Sequence, residues 1–255
     1  MRAVVIGAGR GSRLGSHTQS IPKTLVPVMG RPMLDWILEA LEGAGFARSD
    51  IVFICGYAED VIRARYPELT YVRNTDWENN NILLSLLTAR RYLQDGFIST
   101  YSDIVYDPEL VKALLSSAEP IVLGCDTAWR RRYVDRSHHP ESDAEKLVAA
   151  DRRVVEISRR IPSDRASGEF VGVMKLDRRG ATDFLAAFDE AQARFPTGIF
   201  REGRTLARAY LIDLLAYMLE RGSAMAHEDT CGGYMEIDTV EDLGHAQAWW
   251  NSRVR

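Results

Sequence analysis

The chain has 255 residues and a mass of 28.7 kDa, enough for one large domain or two small ones around a sizeable core. Hydrophobic residues make up 46% and charged residues 27%, which excludes wholesale disorder and collagen-like structure. Lys plus Arg total 32 against 36 Asp plus Glu, a net charge of −4, so neither nucleic acid nor an anionic membrane is an expected partner. Any anion must be bound by a local cluster.

In chain order, residues 3–9 (AVVIGAG) read as a short buried strand running into glycines. Residues 33–45 have helical periodicity, with Leu34, Ile37, Leu38 and Leu41 on one face and Gly43 and Gly45 ending it. A second buried strand is expected at 51–57, a helix at 59–66 stopped by Pro67, and a third strand at 69–72. A helix with a strong apolar face follows at 82–93. A strand at 97–102 ends at Asp103, Pro108 opens a helix running to 115, and a strand occupies 120–126. This alternation predicts a Rossmann-like α/β fold with a mixed, mostly parallel sheet flanked by helices. The second half is less regular. Residues 126–147 are polar and read as a loop or arm, 147–160 and 169–177 as a small appended β-rich lobe, and about 180–194 and 205–221 as helices. No internal repeat, low-complexity tract or flexible linker interrupts the chain.

Cys55, Cys125 and Cys231 are scattered and unpaired in spacing, so free thiols in a reducing cytoplasm are expected rather than disulfides or a cysteine zinc site. No apolar run approaches the roughly 18 residues of a spanning helix, so no membrane association is expected. The apolar stretch at the N-terminus is too short for a signal peptide.

The first strand empties into Gly7, Ala8, Gly9, Arg10, Gly11, Ser12 and Arg13. A glycine-rich turn after a buried strand lets backbone amides approach phosphate oxygens. It is not the dinucleotide fingerprint GxGxxG, which would need glycine at position 12 or 14, where Ser12 and Leu14 stand. The P-loop string is absent as well. Two features set this loop apart: Arg10 and Arg13 within it, and Lys23 shortly after. Lysine occurs elsewhere only at Lys112, Lys146 and Lys175, so Lys23 is a candidate second phosphate clamp beside Arg13.

GAGRGSRLG followed by PKTLVPVMGRPMLDWILEAL resembles the N-terminal signature of the sugar-1-phosphate nucleotidyltransferase superfamily. NNNILLSLLTA at 79–89, Asp103, GEFVGVMKLD at 168–177, AYLID at 209–213 and GGYMEIDTVEDL at 232–243 follow in the order that family has. The most similar branch is the cytidylyltransferases of phosphocholine and of small phosphonates such as 2-aminoethylphosphonate. DTAWRRRYVDR followed by DAEKL resembles the phosphonate group in particular. The resemblance implies one nucleotidyltransferase domain over 1–255: a nucleotide-binding half at about 1–126, an acceptor-binding arm and lobe at about 127–232, and a metal strand and helix at 233–255.

It further implies transfer of CMP from CTP to a small phosphonate or phospho-alcohol, with release of pyrophosphate and with Mg²⁺ as cofactor. Arg13 and Lys23 would be catalytic. Gly7 to Ser12 would bind the nucleotide, together with Asn80, Asn81 and Ser85. Asp103, Glu236 and Asp238 would hold the metal. Read from the residues alone, Asp103 serves equally as a cap on the next turn, and Glu236 and Asp238 as one solvated face of a strand. For the acceptor, Trp129, Arg131, Tyr133, Arg136 and Lys146 supply basic and aromatic groups, guanidinium suiting the anionic head. Glu169, Asp213 or the face of Trp129 would take a cationic tail. His138 and His139 point apart on most backbones and read as part of a solvated loop. Two alternatives stand: a guanylyl- or uridylyltransferase of a sugar or cyclitol phosphate, and a non-catalytic nucleotide-binding regulator. A homodimer is left open.

Overall fold

The computed structural model describes residues 1–253; the last two residues of the 233–255 segment lie outside it. The first half alternates as expected. β1 (Arg2–Ile6), a two-residue hairpin of β2 (Pro27–Val28) and β3 (Arg31–Pro32), α1 (Met33–Gly43), β4 (Ile51–Cys55), α2 (Glu59–Arg65) and β5 (Thr70–Arg73) are followed by α3 (Ile82–Thr88), β6 (Phe97–Tyr101), β7 (Ile104–Tyr106), α4 (Pro108–Ser116) and β8 (Ile121–Asp126). The second half holds β9 (Lys146–Ala150), β10 (Arg153–Ile157), β11 (Gly168–Leu176), α5 (Arg178–Arg194), α6 (Leu211–Glu220), β12 (Ala226–Asp229), β13 (Tyr234–Glu236) and α7 (Val240–Arg253).

Nine strands form one sheet in the order β5-β4-β1-β6-β11-β8-β12-β10-β9. β5, β4, β1 and β6 are parallel, as is the β8–β12 pair. β11 runs antiparallel between β6 and β8. The chain leaves β1 toward β4 on one side and returns to β6 on the other. The carboxyl ends of β1 and β6 therefore frame a topological switch point, where open α/β sheets bind ligands. The β-rich lobe belongs to the same sheet: β9 pairs with β10 at the edge and folds back to pair with β11 as well.

Both faces of the sheet are covered. On β1, Val4 and Ile6 join the core under α3, α5 and α6, while Ala3 and Val5 join the core under α1 and α4. Unbroken apolar strands are what such burial on two sides requires. Leu34, Ile37, Leu38 and Leu41 of α1 are buried. Two helices are shorter than their periodicity suggests. The one expected at 82–93 breaks after Thr88, whose hydroxyl donates back to the Ser85 carbonyl at 2.7 Å, and a 3-10 turn at Arg90–Tyr92 follows. The one expected at 205–221 begins only at Leu211, after a separate 3-10 turn at Leu206–Arg208.

β7, which sequence periodicity is too short to reveal, pairs antiparallel with β13, setting Glu236 opposite Ile104. The amide of Ile237 donates to the Asp103 carbonyl at 2.9 Å. This ladder is the reason carboxylates from distant parts of the chain can meet. A third small core of Leu14, Val26, Val105, Met235 and Ile237 packs beneath it.

β11 shifts register against β8 between Phe170 and Met174, and Gly172 inside that bulge has φ +76°. A Cβ there would stand 2.4 Å from the ring of Tyr101. Gly172→Ala should cost about 1–2 kcal/mol for the left-handed backbone alone, and more for displacing Tyr101. A thermal melt that leaves the midpoint unchanged would contradict this.

Candidate active site

The glycine loop leaves β1 at the switch point. Gly11 has φ +70°, and a Cβ on it would lie 2.6 Å from the Lys23 stem, so backbone conformation and space both demand glycine. The loop therefore packs directly on the lysine. Thr18 ties it down by donating to the Gly11 carbonyl at 3.0 Å.

Lys23 sits at the centre of the site, 7% exposed. Its Nζ donates to Asp103 Oδ2 at 2.7 Å and also to Asp238 Oδ1. Arg13 donates to the other oxygen of Asp238 at 2.5 Å. Burial alone would depress the lysine pKa, but Asp103 and Asp238 outweigh it and hold the ammonium above its ordinary range. Asp238 is held below the usual carboxylate range against its own burial, by Lys23 and Arg13. Glu236 is pushed well above it, by burial first and then by Asp238, Asp103 and Glu169. These opposite shifts describe three carboxylates crowded around one buried cation.

Two chambers meet at this cluster. One, of about 290 Å³, is lined by Ala8, Gly9, Gly11, Ser12, Lys23, Trp77, Asn80 and Ser85. The other, of about 450 Å³, is lined by Tyr101, His139, Asp143, Glu145, Arg159, Glu169, Tyr210, Tyr234 and Glu236. Ile6, Arg13, Asn81, Ile82, Asp103 and Asp238 line both. A molecule in each chamber would face the other across the Arg13–Lys23 cations.

A family model for the MobA-like NTP transferase domain matches residues 3–172. The chain belongs to this family. It is a nucleotidyltransferase, and cytidylyltransferases stand among its relatives. It is 23% identical over 253 residues to the CTP:phosphoglutamine cytidylyltransferase of Campylobacter jejuni, covering 95% of this chain and 98% of that one. It is 34% identical over 125 residues to the CMP-5'-(3-aminopropyl)phosphonate synthase of Streptomyces rubellomurinus, covering 47% of this chain but only 20% of that longer protein. The CTP:phosphocholine cytidylyltransferase of Streptococcus pneumoniae shares the fold, with a TM-score of 0.72 at 21% identity over 97% of both chains.

Within the nucleotidyltransferase frame the expected nucleotide residues fall around the first chamber, with two exceptions. Gly7 lies behind it, its amide donating to the Ile54 carbonyl at 3.0 Å. Arg10 is exposed, its guanidinium 5.4 Å from the ring centre of Tyr57. Asn81 caps α3, accepting from the Ile82 amide at 2.8 Å. Asn80 and Ser85 are joined through buried Asn74, whose Nδ2 donates to Asn80 Oδ1 at 2.9 Å and Ser85 Oγ at 2.7 Å. Asn74 escapes sequence reading because nothing local marks an isolated asparagine after a strand as buried.

Glu236 and Asp238 converge by a route other than the single strand face expected. β13 ends at Glu236, and Asp238 lies in the turn into α7, where its amide donates to Asp242 Oδ2 at 2.9 Å. The ligand atoms of Glu236, Asp238 and His139 all lie within 4.8 Å of one another. Asp103 is outside that trio, its carboxylate engaged by Lys23. Carboxylate oxygens are the donors hard divalent cations take, so these residues fit such an ion. His139 departs from the solvated loop expected of it: it is 3% exposed, with Nε2 3.4 Å from Glu236 Oε2. His138 is exposed, its amide donating to Glu241 at 3.0 Å.

The arm at 126–147 departs further from expectation. It is a pair of 3-10 turns, Trp129–Tyr133 and Glu141–Asp143, whose larger side chains turn inward. Trp129 is buried in a small core with Tyr133 and Ala144, away from the second chamber. Arg131 is exposed beside a separate surface cavity. Arg136 is spent on Asp242 at 2.8 Å and on the Glu236 carbonyl at 3.0 Å. Among the described residues, Lys146 Nζ donates only to the Glu141 carbonyl, at 3.4 Å. Asp213 caps α6, accepting from the Tyr210 amide at 2.8 Å, and pairs with Arg204 at 3.1 Å. Of the seven acceptor residues expected, only Glu169 lines the chamber, and it is already bonded by the Tyr133 hydroxyl at 2.6 Å and by buried Arg132.

Besides Arg13, the guanidinium lining the chamber is Arg159, which pairs with Asp143 at 2.6 Å. Glu145 adds a carboxyl, whose one side-chain hydrogen bond among the described residues comes from the Tyr101 hydroxyl at 3.0 Å. Burial pushes Glu145 up to about 8, with Tyr101 and Arg159 offsetting only part of the rise.

Arg136→Ala should act on stability, because the Arg136 and Asp242 side chains are 1% and 0% exposed. Removing one partner of a buried pair costs about 3–5 kcal/mol. Denaturant melts of the variant test this, and a variant as stable as the parent would contradict the assignment.

Proposed function

We propose that this nucleotidyltransferase transfers CMP from CTP to a small phosphonate or phospho-alcohol and releases pyrophosphate. The observation that carries the reading is the junction of two chambers at Arg13, Lys23, Asp103 and Asp238. CTP lies in the chamber of the glycine loop, with its phosphates toward Arg13 and Lys23. The acceptor lies in the other. An acceptor oxygen attacks the α-phosphorus, a P–O bond forms, and the bond to the bridging oxygen of pyrophosphate breaks. The acceptor is already anionic at neutral pH, so no general base is needed. The work is positioning and charge stabilisation. Asp103, Glu236 and Asp238 would hold Mg²⁺, which supplies charge neutralisation on the phosphates.

The second chamber supports a small charged acceptor over a sugar phosphate. Asp143, Glu145, Arg159 and Glu169 outweigh the neutral hydrogen-bonding groups that several sugar hydroxyls would need. Arg159 takes over the role first expected of Arg131 and Arg136, gripping the acceptor's anionic head. Glu145 faces its tail. CTP is supported by the names of the relatives.

The test is a pyrophosphate-release panel crossing CTP, UTP, GTP and ATP with 2-aminoethylphosphonate, 2-hydroxyethylphosphonate, phosphocholine and glucose 1-phosphate. We expect the highest kcat/KM for CTP with a small phosphonate or phospho-alcohol, lost with EDTA and restored by Mg²⁺. Arg159→Ala should raise the acceptor KM more than the CTP KM. Highest kcat/KM for glucose 1-phosphate with UTP or GTP would contradict the acceptor reading, and full activity in EDTA the metal.

A further inference from the structure

The arm delivers one more group to the carboxylate cluster than the reaction just described employs. His139 is buried, and its Nδ1 has no hydrogen-bond partner among the described residues. Its Nε2 lies 3.4 Å from Glu236 Oε2, and its Nδ1 lies 3.8 Å from both Asp238 Oδ2 and Asp242 Oδ2. The ring is held in place from several sides. Tyr133 meets it edge-on at 5.9 Å. The preceding amides of Ser137 and His138 donate to Glu241 in the first turn of α7, at 2.9 and 3.0 Å.

We propose that His139 is a metal ligand, its Nε2 completing a mixed nitrogen–oxygen divalent-cation site with Glu236 and Asp238, with Asp242 orienting the ring through Nδ1. The inference rests on the metal reading above and adds a nitrogen donor to it. The separations suit shared coordination. Metal bonds of about 2.0–2.2 Å at near right angles place neighbouring donors about 3 Å apart, a little closer than His139 and Glu236 stand without an ion. They are long for direct hydrogen bonds.

The surroundings have the form that ligating histidines show, with the second ring nitrogen facing a carboxylate that is itself fixed. Asp242 meets that description. Its Oδ1 accepts from Arg136 at 2.8 Å, and its Oδ2 accepts from the amides of Asp238 and Thr239 at 2.9 and 2.8 Å. The buried Arg136–Asp242 pair then has a purpose beyond packing, since it fixes the orienting carboxylate beside two proposed ligands. An imidazole donor also moves a site's preference away from Mg²⁺ and toward first-row transition ions.

Pulsed EPR of the full chain loaded with Mn²⁺, alone and with nitrogen-free pyrophosphate, tests this directly. We expect ¹⁴N coupling of an imidazole type in the parent protein and its loss in His139→Gln. The variant should bind Mn²⁺ at least about 10-fold more weakly, and its Mn²⁺-over-Mg²⁺ preference should shrink. If His139→Gln fails to fold, the parent spectrum decides alone. Bound Mn²⁺ without nitrogen coupling, no bound Mn²⁺ in either state, or coupling that survives in a folded His139→Gln would each overturn the proposal. Loss of nitrogen coupling leaves CMP transfer standing, and failure of CMP transfer leaves the nitrogen signal standing.

Discussion

One buried ammonium holds the site together. Lys23 lies between Asp103 and Asp238, and each of the three is delivered by a different device. Gly11 packs against the lysine stem. The end of β6 presents Asp103. The β7–β13 ladder brings the segment of Glu236 and Asp238 alongside. Charges removed from water are expensive, and their attraction repays the cost only with good geometry and further hydrogen bonds. Here Arg13 satisfies the second oxygen of Asp238 at 2.5 Å. Such a cluster is a poor way to stabilise a fold and a good way to keep positive charge ready between two anions.

The sheet supplies the place for it. The chain leaves β1 in one direction and comes back to β6 in the other, so a crevice opens at their carboxyl ends. The glycine loop closes one side of the crevice and the folded-back β9–β11 edge the other. Two chambers of about 290 and 450 Å³ result, sharing a wall of charged side chains. Joining two polyanions asks for little more than such a shared wall. The described residues accordingly offer electrostatics where another enzyme would offer a nucleophile and a base.

The first half of the fold was legible because its strands are short apolar runs bounded by glycine, proline and polar residues, and α1 repeats its apolar positions cleanly. The proposed phosphate clamp was legible for a related reason: a glycine loop with arginines and a nearby lysine is a local pattern. The proposed acceptor chamber was not. RRRY in the arm looks like free basic surface, yet Arg132 is paired with buried Asp126 and Glu169, and Arg136 with Asp242, a partner 106 positions away. A sequence shows which residues carry charge but not which charges cancel. Of the residues that line the chamber, Arg159 sits at the end of a stretch that reads as β-rich, and Glu145 in the polar arm. His139 is hidden in the sequence because two adjacent histidines in a polar stretch look alike, while only one of them turns inward.

The central claim is that Lys23, the buried cation of the first chamber, organises Asp103 and Asp238 in the wall that both chambers share. The most direct measurement is pyrophosphate release by Lys23→Ala, with the best nucleotide and acceptor of the parent, at a temperature where circular dichroism shows the variant folded. The account predicts that kcat falls about 10²-fold or more, the usual cost of removing one preorganised charge donor. A folded Lys23→Ala protein that turns over at the parent rate would contradict it, leaving the buried lysine as a structural ion pair alone.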